Sequence, residues 1–287
     1  MSAASESTGS QSTGSQSTRP QATGPKSVLT PAPGAAPPAR MVRAQAAYEL
    51  RTVLRNGEQL LLTLVIPVIL LLLFGATSLL DQGPELGPGR RVDFIAPGII
   101  ALAIMSTAFT GQAIGTGFER RYGVLKRLGA TPLPRSGLIA AKTISVVAVE
   151  VLQVAVIGAV AQARGWHPHG GNPAAAVVSV VAFVLLGTAA FSGLGLLMAG
   201  SLRAEATLAA ANLVYLLLLV LGGVIFPLTE FPDAVAAVLE LLPISALADG
   251  LRQVLQHGAA LPGKDMIVLA VWAVAAPAVA ARFFRWE

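Results

Sequence analysis

The stretch FERRYGVLKRLGATPLPRSG, Phe118 to Gly137, decides the fold. It gathers Arg120, Arg121, Lys126, Arg127 and Arg135 around a single acid, Glu119, and long apolar runs stand on both sides of it. Basic residues concentrate in short cytoplasmic loops of membrane proteins. The stretch therefore reads as such a loop, and its flanks as spanning helices.

Working outward, six apolar runs appear: Gln59–Leu80, Phe94–Thr116, Leu138–Ala163, Ala174–Ala199, Ala206–Phe226 and Met266–Ala281. Crossing the hydrocarbon takes about 20 residues. Five runs fit comfortably, and the sixth relies on Lys264 and Arg282 near the two interfaces. No water is available there to satisfy backbone groups, so the spans must be helices. Pro67 and Pro97 are expected to kink two of them. Composition agrees: the 287 residues are 54% hydrophobic and 12% charged, against about 25% charged in soluble domains. The absence of cysteine excludes disulfides and thiol chemistry. The net charge of +5 is assigned to basic loops rather than to nucleic-acid binding, so no nucleic-acid partner is expected.

Residues 1–40 are rich in Ser, Thr, Gly, Pro and Gln, with the near-repeat STGSQSTGSQST. They carry too little apolar surface to offset the entropy of ordering, and a disordered cytoplasmic tail is expected. Residues 41–287 form the membrane domain. Within it, MVRAQAAYELRTVLRNGE (41–58) spaces Met41, Ala44, Tyr48 and Leu54 as a helix does, with Arg43, Arg51 and Arg55 between them. This fits an amphipathic helix in the headgroup layer; a plain extension of the first span stays open. With a cytoplasmic N-terminus, the inner segments after the tail hold thirteen basic residues and the outer loops five. Both termini are therefore expected inside, on the cytoplasmic face of the membrane. Between the fifth and sixth spans, FPLTEFPDAVAAVLELLPISALADGLRQVLQHGAALPG (226–263) is too apolar for a free loop. It predicts two short helices in an outer hairpin.

No phosphate-binding GxxxxGK[ST] motif occurs, so this chain is not expected to hydrolyse ATP. His167 and His169 sit in an outer loop without a nearby carboxylate in sequence, and no metal site is expected. Glu150 lies mid-way along the third span with Gln153 a turn later. A carboxylate at that depth is expensive. A proton relay, a contact to a cationic substrate, and a structural acid paired with another helix, for instance through Asn212, all stay open. The small-residue runs FSGLG and GLGLLMAG suit close helix packing.

The loop itself has more structure than a positive-inside loop requires. Phe118–Leu128 reads as one short helix, with Glu119 near its start and Lys126 and Arg127 near its end, as the helix dipole favours. Tyr122, Leu125 and Leu128 supply an apolar edge, and the prolines of TPLPR stop it.

These residues resemble the cytoplasmic motif of ABC-2 type transporter permeases, the membrane subunits of ATP-binding-cassette exporters. The matching positions are Glu119-Arg120, Gly123, Leu125-Lys126-Arg127-Leu128 and Ala130-Thr131-Pro132, and the coupling helix that the resemblance implies takes in Phe118 and Arg121 as well. LRNGEQLLLTLVIPVILLLLFG is similar to the family's entry into the first span, with Gly57 where proline is common. The outer hairpin is similar too. The closest flavour is that of daunorubicin-resistance-like drug-efflux permeases of actinobacteria. The resemblance implies an all-α membrane protein: six transmembrane helices, an N-terminal interfacial helix, a coupling helix at Phe118–Leu128 and the outer hairpin. It implies a dimer with a second copy or a paralogue, and two docked ATPase subunits that hold ATP and magnesium, with no cofactor on this chain. The cargo would be a hydrophobic or amphiphilic small molecule, handled in contact with membrane lipid. A lipid-linked glycan precursor and a proton-coupled secondary transporter using Glu150 are the alternatives. Removing Glu119 and Arg120 together is expected to leave insertion intact and abolish export.

Overall fold

A computed structural model describes residues 36–76, 88–168, 172–224, 228–259 and 261–283. The tail to residue 35 lies outside them, so the expectation of a disordered tail does too. Among the described residues the chain is all helical, without a strand. Helix α1 (Pro38–Arg55) starts inside the expected tail, with proline at its first position, where a missing N–H costs nothing. A break at Asn56 separates it from α2 (Gly57–Ala76).

The long helices follow the apolar runs. α3 (Pro88–Met105), a π-helical turn at Ser106–Gly111 and α4 (Gln112–Arg121) run on without interruption. α6 is Arg135–Ala163, α7 is Pro173–Ser201, α8 is Ala204–Leu221 and α11 is Gly263–Phe283, with the six-residue α5 (Val124–Gly129) before α6. Five of these stretches are long and apolar enough to cross a membrane: Val92–Arg121, α6, α7, α8 and α11. The apolar part of the first expected span is shorter, Thr63–Gly75 within α2, and its end at residues 77–80 lies outside the described residues. The hairpin appears as α9 (Asp233–Leu239) and α10 (Pro243–His257), bent by 91° at Glu240–Leu242. Counted as one broken span, the pair brings the crossings to six. This is the architecture of a multi-pass membrane protein. Its outward faces carry Leu213, Val220, Val271 and Val274, all exposed in the single chain, as helices facing lipid do.

α7 packs on α11, α4, α10 and the π turn. Its small residues let backbones meet. A Cβ on Gly193 would lie 2.4 Å from the Pro277 nitrogen of α11, and one on Gly195 would lie 2.6 Å from the Phe109 carbonyl oxygen. Packing, rather than chemistry, therefore accounts for FSGLG and GLGLLMAG. Phe109, Phe183 and Phe191 fill the centre.

Pro67 and Pro97 lie inside α2 and α3, and the carbonyls they free have specific partners. Proline lacks an N–H, so the carbonyl four residues earlier loses its helical donor. Pro67 frees Thr63, whose carbonyl accepts from Gln153 Nε2 at 3.0 Å. Pro97 frees Asp93, whose carbonyl accepts from Gln256 Nε2. Two glutamines in an apolar setting thus replace the hydrogen bonds that two prolines remove.

A buried arginine ties the hairpin to the spans. Arg252 of α10 donates to the carbonyls of Gly223 and Val224, each at 2.7 Å, and to Asp249 at 2.9 Å. Its guanidinium lies 4.1 Å from the centre of the Phe94 ring. Arg252 is one of the five basic residues counted in the outer loops; here it is buried and caps the carbonyls where α8 unwinds.

Candidate functional site

Two features have the chemistry of a site: the corner between α4 and α6, and a cavity above it.

The corner differs from the single helix expected over Phe118–Leu128. Phe118 to Arg121 are the last turn of α4, the end of the second span. Gly123 then takes φ +72°, a left-handed conformation that side-chain-bearing residues avoid, and α5 begins at Val124. The expected apolar edge splits at this break. Leu125 is fully buried with Leu133, Leu138, Ile139 and Leu196, Leu128 is half-buried against them, and Tyr122 is 68% exposed, stacked on Phe118 at 6.2 Å. Glu119 is near a helix C-terminus rather than at the start of a helix, so the dipole does not explain it. Thr131 closes the turn by donating to the Leu128 carbonyl at 2.6 Å, ahead of Pro132. Lys126, Arg127, Ala130, Thr131 and Pro132 are exposed.

Two of the corner's arginines are already engaged. Arg120 donates to the Leu202 carbonyl and Arg121 pairs with Glu205. The bonds reach Leu202 in the turn between α7 and α8 and Glu205 in the first turn of α8, so the corner is fastened to the α7–α8 junction.

Glu119 belongs to the second feature. Its carboxylate binds Lys142 Nζ at 2.7 and 2.9 Å, and Glu49 of α1 binds the same nitrogen at 3.1 Å. The Lys142 side chain is only 4% exposed. One buried ammonium thus joins three elements: α1, the end of α4 and the start of α6. The expected Glu119→Ala plus Arg120→Ala test needs correcting on this ground. It would strip a partner from a buried lysine, so lost export would not report docking alone.

The triad closes one end of a cavity of about 590 Å³ between α1, α2, the π turn, α4 and α6. Asn56, Thr107, Thr110, Gln112, Thr116 and Ser145 give it a polar lining, and Val53, Val146 and Val149 an apolar side. The π turn matters here, since π-helical turns inside α-helices gather at functional sites. Sequence reading missed Glu49 and Lys142. The rule that marks Glu150, a charge inside an apolar span, applies equally to Lys142.

The intramembrane set separates. Glu150 is fully buried between α6 and α7, hydrogen-bonded to Thr188, with its other oxygen unpartnered. Gln153 accepts from Thr107 at 3.1 Å besides its bond to Thr63. Asn212 does not meet them: it is exposed on α8. Pairing of Glu150 with another helix is thus through Thr188. Glu150 is not among the cavity's lining residues.

A family model described as ABC-2 type transporter matches residues 41–255. No curated protein matches the chain at a significant level.

Proposed function

The chain belongs to the ABC-2 type transporter family as a membrane permease subunit without catalytic activity of its own, and from that premise we propose that it exports a hydrophobic or amphiphilic compound using ATP hydrolysed by a separate ATPase subunit. ABC-2 membrane domains generally pair with such an ATPase. The observation that carries the reading for this chain is the α4–α5 corner. It is a short, exposed, basic element with an aromatic at its tip, fixed by Leu125 in a small core and by Arg120 and Arg121 to the adjacent turn. A push on such an element reaches α4, α6 and the α7–α8 turn together.

In this reading Phe118–Pro132 is the coupling element, with Tyr122, Lys126 and Arg127 at the ATPase surface. The other coupling residues, Gly123, Leu125, Leu128, Ala130 and Thr131, shape it. The excess of basic residues on this side supports a cytoplasmic position and inward-facing termini. Two permeases, identical or paralogous, would face each other over two ATPases holding ATP and magnesium. The likeness to daunorubicin-resistance-like permeases favours drug efflux. The burial of Glu150 against Thr188, away from the cavity, supports a structural acid.

Proteoliposomes holding the chain and an ABC ATPase test this. Export of a lipophilic fluorescent dye should require ATP and vanish when the ATPase loses its Walker lysine. Export driven by a proton gradient without the ATPase, and lost in Glu150→Gln, would overturn the reading.

A further inference from the structure

We propose that the cavity ending at Lys142 is a binding site for a primary ammonium group carried on an amphiphile. The proposal rests on the permease reading above only for the meaning of the site, not for its existence.

The charge balance is the first reason. Glu49, Glu119 and Lys142 leave one negative charge in excess, and among the described residues no other lysine or arginine lines the cavity. The Lys142 nitrogen is already shared between two carboxylates, so it has little left for an anionic ligand. With the Glu49 and Glu119 side chains 12% and 28% exposed, water screens the excess charge only in part, and a cation is favoured there.

Hydrogen bonding is the second. Thr116 is 1% exposed, lines the cavity, and its hydroxyl has no partner; the hydroxyl of Thr110 on the same wall is also unpartnered. Buried polar side chains normally find partners. Helical threonines usually bond back to a carbonyl one turn earlier, as Thr188 and Thr207 do here. Two lining threonines that make no such bond leave unmet hydroxyls packed at the cavity wall, which a small shift of either side chain would offer to a ligand. An ammonium brings three donors and a positive charge, which suits hydroxyl oxygens beside carboxylates.

Shape is the third. Gly115 lines the cavity, and a Cβ built on it meets nothing within 4 Å. That wall is open where a side chain would narrow it. Val53, Val146 and Val149 offer the apolar counterpart for an alkyl body.

Such an ammonium has two sources, an aminolipid headgroup or an amine-bearing cargo. The full chain in phosphatidylcholine nanodiscs, titrated with octylammonium, tests the site. Saturable binding above empty discs is expected, with octanol and octyl sulfate binding at least tenfold more weakly. Glu49→Gln and, separately, Thr116→Val should each weaken octylammonium at least tenfold, and Glu240→Gln, outside the cavity, should not. Equal binding of octyl sulfate, or unchanged binding in both cavity variants, overturns the proposal. Competition by phosphatidylethanolamine discs supports the site and identifies the lipid source. ATP-dependent octylammonium export by the chain with its ATPase supports the site and identifies cargo. Because the binding assay contains no ATPase, a failed site and a failed export reading give different results.

Discussion

Replacing Lys142 with methionine is expected to destabilise the protein by about 3 kcal/mol. Lys142 is nearly inaccessible, and its ammonium is the partner of both Glu49 and Glu119. Methionine fills much of the same volume, so packing changes little. What changes is charge: two carboxylates remain close together without their cation. Removing one partner of a buried ionic group costs about 3–5 kcal/mol. The lower end applies here because Glu119 is 28% exposed and water relieves part of its charge. Thermal unfolding of the detergent-purified variant checks this, as a lowered midpoint. Adding Glu49→Gln and Glu119→Gln to Lys142→Met should recover most of the loss. A single variant as stable as wild type would show that the triad is not an ionic core.

Arg252→Leu is expected to cost about 4 kcal/mol, measured in the same way. The leucine leaves the carbonyls of Gly223 and Val224 buried without donors, and each such group costs about 1–3 kcal/mol. It also removes the cation from the Phe94 ring, worth about 2 kcal/mol when desolvated. Arg252→Lys separates charge from geometry. A lysine restores a cation but not the planar fork that reaches two carbonyls and Asp249 together. Its loss should fall between wild type and leucine. Full stability in Arg252→Lys would mean that charge alone holds the hairpin.

Spans were the most legible part of the sequence. Apolar runs of membrane length have few alternatives, and five of the six coincide with long apolar helices; the first holds only the shorter apolar stretch Thr63–Gly75 among the described residues, and the last helix is longer at both ends than its run. The hairpin was legible because Pro232 and Pro243 bracket its helices and apolar residues fill them. The corner was half legible. Its charge and proline stop marked the place, but the helix-like spacing of Tyr122, Leu125 and Leu128 masked the break that Gly123 makes. Spacing within a helix says nothing about which glycine turns left-handed. The triad was not legible. Glu49 is a lone acid among the arginines of α1, and its partner is in α6. Such a pairing depends on how helices stack, which one sequence does not carry. The same holds for Glu150, whose partner is Thr188 rather than the exposed Asn212.

The central claim is that the α4–α5 corner receives the ATPase. The most direct measurement is the affinity of an ABC ATPase for the purified chain in nanodiscs, wild type against Tyr122→Ala plus Arg127→Ala. Both side chains are exposed and neither touches the Lys142 triad, so folding should be unaffected. The account predicts at least a tenfold loss of affinity with an unchanged unfolding midpoint. Wild-type affinity in that variant would contradict it and place the docking surface elsewhere on the chain.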